Sequence, residues 1–337
     1  MTVIVTGAGG HLGANLVRAL LAQGRPVRAL IHHDRRGIEG LEVETVRGDV
    51  CDRASLERAF DGAEVVYHAA ARISISLRED LQVEAVNVAG TRNVVEACLR
   101  AGVRRLIHLS SIHALQQEPL DQPLDEERPL VDPRHAAPYD RSKAAAEREV
   151  RAGVARGLDA VILNPTAMIG PHDHAPSHIG QALLSMCRGT MPALIAGGFD
   201  WVDARDVVQG ALRAEERAAA GARYLLSGHW ASVCRLAEIV AGLSGVRAPW
   251  FVCPVWLGQA AAPFAAAWAR LDGGRPLFTP FSVRTLHSNR RISHARAARD
   301  LGYAPRPLED TIADTLRWFV ESGMLDRPLV PHAAEVS

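Results

Sequence analysis

The sequence carries no excess of charge of either sign: 38 lysines and arginines stand against 38 aspartates and glutamates in 337 residues. That balance removes the electrostatic footprint which draws a protein to phosphate backbones or anionic lipid, so neither nucleic acid nor membrane is an expected partner. Cysteine is scarce and unpatterned. Cys51, Cys98, Cys187, Cys234 and Cys253 include no C-x-x-C pair, which argues against a disulfide framework or a zinc knuckle and leaves reduced, packing thiols. Long apolar runs are missing too: the greasiest stretch, residues 255–269, contains Gln259 and Pro263 and falls short of the about 20 residues a bilayer span needs. It reads as a helix over an apolar pocket. The opening Met1-Thr-Val-Ile-Val-Thr-Gly7 lacks the basic-then-apolar pattern of a secretory signal, so a cytoplasmic location is expected. No internal repeat is visible.

What is present is a soluble, globular composition, 48% hydrophobic and 23% charged, in a chain long enough for two lobes at roughly 100 to 200 residues each. Short apolar runs at 3–5, 27–31, 65–67 and 106–109 are separated by amphipathic segments. That alternation predicts an α/β fold, a doubly wound parallel sheet with helices on both faces. Helices are expected at 12–22, at 55–60 entered from Asp52, at 80–101 ending on Gly102, and at 144–155 before Gly157, with a strand following at 160–163. Past Pro165 the pattern loosens. The expected division is a cofactor-binding domain over 1–165, to which 196–228 returns, and a smaller, mostly helical substrate-binding lobe over 166–195 and 229–325. Residues 326–337 form a tail.

Thr6-Gly7-Ala8-Gly9-Gly10-His11-Leu12-Gly13 joins the first strand to the first helix, where a dinucleotide's pyrophosphate rests on backbone N–H groups and the helix N-terminus. Gly7 permits the tight turn, Gly10 lets the backbone approach phosphate, and Gly13 lets helix and strand pack closely; His11 and Leu12 complete the loop. The spacing is G-x-x-G-x-x-G rather than G-x-G-x-x-G. An acid about 20 positions on would take the ribose hydroxyls of NAD, but Ile31 stands there. His32, Arg35 and Arg36 in the next turn suit a 2′-phosphate. NADP(H) is therefore favoured over NAD(H), with Asp34 as the residue that serves NAD if the turn is shifted. Asp49, followed by Val50 after the third strand, is placed to hold the adenine amino group, or else is a turn residue.

Tyr139-Asp-Arg-Ser-Lys143 sets a phenol and an ammonium four residues apart on one helix face. A free phenol, with a pKa of about 10, needs a neighbouring cation to work near neutrality, and Lys143 is expected to supply it. Ser111, at a strand end, would hold the substrate oxygen against the phenol. Glycine loop, serine strand and tyrosine helix follow in one βα series whose strand ends share a crevice. The three make a general acid–base site for a carbonyl or alcohol.

These residues resemble the extended short-chain dehydrogenase/reductases, the NAD-dependent epimerase/dehydratase family. The likeness rests on Thr6-Gly-x-x-Gly-x-x-Gly13, Tyr67-His-Ala-Ala-Ala71, Asn87-x-x-Gly-Thr91, Ser110-Ser111, Tyr139-x-x-Ser-Lys143 and Asn164-Pro-Thr-Ala-Met-Ile-Gly-Pro171. It extends to about residue 321 through Leu301-Gly-Tyr-x-Pro-Arg-Pro-Leu308. The resemblance implies a Rossmann-type doubly wound domain, a bound nicotinamide cofactor and the catalytic triad Ser111, Tyr139 and Lys143. It further implies that Ala69, Ala70 and Ala71 line the cofactor crevice, that Asn87 braces the active-site strand, that Lys143 touches the nicotinamide ribose, and that Pro165 and Met168 lie by the nicotinamide ring. A homodimer through the helices 80–101 and 139–155 is suggested by the same likeness.

Family members acting on nucleotide sugars carry an arginine in a segment of the type R-D-F-V-x-V-x-D-V. Phe199 stands at that place here, ahead of Asp200-Trp201-Val202, and an aromatic ring cannot neutralise a pyrophosphate. The chain looks more like the dihydroflavonol reductase and 3β-hydroxysteroid dehydrogenase members. Phe199, Trp201, Trp250, Trp256, Phe264 and Trp268 would line an apolar pocket, though each is individually a core candidate. His113 and His172 are candidate substrate contacts. His172, His174 and His178 have the look of metal ligands without an orienting carboxylate at helical spacing, so no metal is expected and the segment is read as a polar lid. The run 124–128 is read as a solvated loop. The expected function is hydride transfer between the cofactor and a ketone, aldehyde or secondary alcohol on an apolar small molecule. The alternatives are an epimerase or dehydratase of a sugar or sugar nucleotide, and a catalytically silent NADP-sensing protein.

Overall fold

A computed structural model describes residues 2–77, 79–260, 279–326 and 328–330. Seven parallel strands form the main sheet: β1 (Thr2–Thr6), β2 (Val27–Ile31), β3 (Glu44–Arg47), β4 (Ala63–His68), β5 (Arg105–Leu109), β6 (Ala160–Pro165) and β10 (Arg223–Leu226). Their order is β10-β6-β5-β4-β1-β2-β3. The order reverses between β1 and β4, and in such sheets ligands bind outside the strand C-termini at that reversal. Apolar side chains alternate between the faces. Val3, Val5, Val65, Tyr67, Ile107 and Leu109 pack with α1 (His11–Ala22) and α7 (Ala204–Arg217); Ile4, Val66, Leu106 and Ile162 pack with α2 (Arg53–Ala59), α4 (Gly90–Ala101) and α5 (Pro138–Ala155).

Local chemistry sets the helix ends. The Asp52 carboxylate accepts from Ala54 N to start α2, and Gly102, at φ 65°, ends α4. Two helices differ from the expected ones. Pro138 sits in the first turn of α5, which therefore begins six residues before the pattern at 144 and takes in Tyr139, as the tyrosine–lysine spacing requires. The segment 80–101 is not one regular helix: α3 (Leu81–Glu84) runs into a π-helical turn, Ala85–Ala89, before α4.

The second layer holds β7 (Ala167–Ile169), β9 (Gly198–Asp203) and β11 (His229–Ser232) in the order β11-β9-β7, with a two-stranded pair of β8 (Leu194–Ile195) and β12 (Val252–Cys253). Helices α6 (His178–Cys187), α8 (Val233–Ser244) and Leu308–Glu321 close a separate core here. Gly198–Asp203 pairs in this small sheet, and α7, which follows it, packs on the large one. The run 124–128 is not a solvated loop. Leu124, Glu126 and Arg128 are buried, because the Glu126 carboxylate accepts from Leu225 N and the Arg128 guanidinium donates to the carbonyls of Gln122 and Pro123. Phe264, Trp268 and the part of the 255–269 segment beyond 260 lie outside the described residues.

Candidate active site

The glycine turn fits a dinucleotide. Gly7 has φ 69°, and a Cβ there would lie 2.6 Å from Ala70 N; one on Gly13 would lie 2.1 Å from the Gly7 carbonyl. Gly10, which caps α1, is different. A Cβ on it would meet only the Gly7 carbonyl, at 3.4 Å, so its outer side is open where the helix amides point. Gly9, to which the sequence reading gave no role, has the tightest constraint of the loop: a Cβ would fall 2.0 Å from the Asp34 carbonyl. The turn after β2 thus lies directly against the glycine loop.

In that turn Arg36 holds the Asp34 carboxylate at 2.6 Å, and this ion pair lowers the Asp34 pKa. Arg35 is exposed. His32 lies 3.3 Å from Asp49, whose other carboxylate oxygen accepts from Cys51 N. Asp49 is therefore already engaged as a turn residue. Val50 is buried, and its carbonyl accepts from Asn93. Ala69 and Ala70 follow β4, their amides given to the Thr6 carbonyl and hydroxyl; Ala71 is exposed. Asn87, inside the π turn, accepts from Arg72 N and donates to the Arg72 carbonyl and the Ser142 hydroxyl. It ties the chain after β4 to the tyrosine helix. Pro165 ends β6 buried, and Met168 is half-buried in β7.

Ser111 follows β5 and Tyr139 opens α5, and both side chains are buried where the strand end meets the helix. Burial pushes the Tyr139 pKa up to about 12, against the pull of the Ser111 hydrogen bond, and the Asp140 carboxylate adds to the rise. Lys143 is buried and donates its Nζ to the Leu109 carbonyl at 3.1 Å. Burial lowers the Lys143 pKa to about 8, with Glu147 opposing. Ser111 is the neighbour that pulls the Tyr139 pKa down, while the Lys143 side chain, one turn along the same helix, reaches the end of β5. A phenol that keeps its proton is the form a proton donor requires.

Around this group, His113 gives its main-chain N–H to the Ser111 hydroxyl, binds Asp140 through Nδ1 at 3.0 Å, and lies edge-on to the Tyr139 ring at 5.6 Å. The helix Pro280–Thr285 brings Phe281 onto Tyr139 and Ala137. The other aromatic candidates go elsewhere. Trp201 is buried in the second core with its indole N–H on the Ala231 carbonyl, and Phe199 stacks edge-on against it at 5.2 Å. Trp250 and Trp256 are exposed. His172, at φ 67°, packs with His174 against Trp318. Its segment is fastened to the first helix, since His11 Nε2 lies 3.1 Å from both the Gly170 and Pro171 carbonyls and Asn15 donates to the latter. The histidine segment therefore borders the cofactor loop. Among the described residues no three His, Cys, Asp or Glu side chains group as metal ligands, and no helix is long and apolar enough to cross a membrane.

Reasoning from sequence missed Gly9, Asp140 and Glu147. Glu147 had a signal, since it stands eight residues after Tyr139 on the same helix face.

A family model described as the NAD dependent epimerase/dehydratase family matches residues 3–226. Sterol demethylase protein B of Methylococcus capsulatus is 40% identical over 96% of this chain and 100% of its own length. A putative dihydroflavonol 4-reductase of Synechocystis sp. is 31% identical, covering 95% of this chain and 94% of that protein. The crystal structure of gox2253 is similar at a TM-score of 0.83 and 32% identity, over 96% of this chain and 99% of that one.

Proposed function

The chain belongs to the NAD-dependent epimerase/dehydratase family and is an NAD(P)-dependent oxidoreductase; from that premise we propose that its substrate is a ketone, aldehyde or secondary alcohol on an apolar small molecule. The observation that carries this reading is the burial of Ser111, Tyr139 and Lys143 together, the phenol and the ammonium one turn apart on α5 and Ser111 at the end of β5. Bound nicotinamide supplies or takes the hydride. In reduction, Tyr139 gives its proton to the substrate oxygen, Ser111 holds that oxygen in place, and the Lys143 ammonium compensates the phenolate left behind. Oxidation runs the same proton path in reverse. Phe281 over the phenol and the burial of all three side chains keep water from the transfer.

In this reading Gly7, Gly10, His11, Leu12 and Gly13 hold the pyrophosphate and His113 touches substrate. The first domain binds the cofactor and the second layer the substrate. NADP is preferred because Asp34, the acid that would take the ribose hydroxyls of NAD, is engaged by Arg36, while Arg35 is exposed beside Gly9. An apolar substrate is supported by Phe199 in place of a phosphate-binding arginine and by the sterol and dihydroflavonol in the names of the two relatives. We also infer a homodimer through the 81–101 segment and α5, and a cytoplasmic enzyme whose five cysteines are free thiols.

The test is calorimetric titration of cofactor-stripped protein with NADP and NAD, followed by turnover of apolar ketones and sugar nucleotides. Tighter, freely exchanging NADP and net reduction of the ketones are expected. Retained NAD, with conversion of sugar nucleotides and no net use of added cofactor, would overturn the reading.

A further inference from the structure

Glu147 is fully buried on α5, one helical turn past Lys143 and two past Tyr139. Both of its oxygens are engaged. Oε1 accepts the Ser110 hydroxyl at 2.7 Å and the Asn164 side-chain amide at 2.6 Å, and Oε2 accepts Arg223 Nη2 at 2.7 Å. The three partners come from three different strand ends. Ser110 follows β5 and immediately precedes Ser111; Asn164 lies in β6, and its Nδ2 also donates to the Ser111 carbonyl at 2.7 Å. Arg223 opens β10 and gives Nη1 to the carbonyls of Glu126 and Arg128. Ser111 is therefore held on both sides by groups that end on this one carboxylate.

We propose that Glu147, paired with Arg223, is a positioning residue for the reaction: it clamps Ser111 to the helix that carries Tyr139 and Lys143, and fixes a negative charge one turn from the lysine. The proposal rests on the assignment of those three residues as the catalytic group. A joint needed only for stability would be cheaper if apolar, since taking an ion pair out of water costs much of what its attraction returns. Here the charge sits where it acts on the chemistry. The titratable groups around Lys143 are Glu147 on its own helix, His68 at the end of β4 and His108 in β5; those around Glu147 also include Arg223 and Arg151. Burial keeps both histidines neutral at working pH, so Glu147 is the neighbour that opposes the loss of the lysine proton.

Three variants test this: Glu147→Gln, the double variant Glu147→Gln with Arg223→Gln, which leaves no guanidinium buried against a neutral amide, and Ser110→Ala. Each is measured for kcat, KM, cofactor affinity, melting temperature and the pH profile of kcat. The Glu147 variants should lose between about 10- and 100-fold in kcat, the scale of an ångström-sized misplacement, with KM and cofactor affinity little changed. Their alkaline limb should move to lower pH, because Lys143 without its anionic neighbour gives up its proton sooner. Ser110→Ala, which keeps the charge, should lower kcat and leave the limb in place. Wild-type kcat and an unmoved limb in the folded double variant overturn the proposal, whatever happens to its melting temperature. If that variant does not fold, wild-type kcat in Ser110→Ala overturns it. Tyr139→Phe separates the two layers: full turnover in that variant defeats the catalytic assignment itself, whereas its inactivity beside normal Glu147 variants defeats only the clamp.

Discussion

Tyr139 keeps its proton because the environment that excludes water also penalises the phenolate, and this fixes what its replacement should do. Tyr139→Phe preserves the ring that packs on Phe281 and removes only the hydroxyl, so kcat/KM should fall at least about a hundredfold, the lower end for a general acid, while cofactor affinity measured by titration stays within error. Lys143 makes the companion prediction. Its pKa is lowered by burial to about 8, so the ammonium proposed to compensate the phenolate is present below that pH and lost above it. The rate should therefore decline as pH rises through about 8, and a profile flat to pH 10 would show that the ammonium is not needed. His108 is the opposite kind of residue, fully buried with neither ring nitrogen hydrogen-bonded among the described residues.

At the level of elements, the glycine turn divides into positions closed by the fold and one open toward the crevice. Gly9→Ala drives a methyl into the Asp34 carbonyl and should cost about 1 to 3 kcal/mol of stability, the usual price of overpacking, seen as a lower denaturation midpoint. Gly10→Ala meets little and changes only a helix cap, so its stability should stay within about 1 kcal/mol of wild type while cofactor affinity drops. Equal loss of affinity in both, with equal loss of stability, would contradict that division. The strands and the first helix were legible because their periods and end signals are local: Val3-Ile-Val5 before glycines, Asp52 before α2, Gly102 after α4. That Tyr139 and Lys143 share one helix and Ser111 ends a strand was legible by spacing and order. What was hidden depends on partners far along the chain. No count of apolar residues reveals the π turn at Asn87, whose amide is aimed at Arg72 and Ser142; no charge pattern shows that Glu126 and Arg128 are buried under β10; and no spacing shows that the Lys143 ammonium ends on the Leu109 carbonyl.

For the whole molecule, two fully buried neutral histidines in the central strands set the response to acid. Burial holds His68 at about 3 and His108 well below its ordinary value, whereas in the unfolded chain each titrates near 6.5. Between those limits the unfolded state binds protons the folded state refuses, so stability falls as pH drops below about 6.5, by about 1.4 kcal/mol per pH unit for each histidine. Melting curves from pH 7 to 5 should show this decline, and His108→Leu should flatten it; an unchanged slope would remove His108 from the account. The proposed clamp on Ser111 has a different consequence, in the time order of synthesis. Glu147 and Arg223 are 76 positions apart, and a ribosome adding about 5 to 20 residues per second takes on the order of 4 to 15 seconds to cover that distance. A nascent chain thus displays the phosphate turn, the serine and the tyrosine helix for seconds before the cation that completes their frame exists, and the edge strand that delivers it turns a set of motifs into an aligned site.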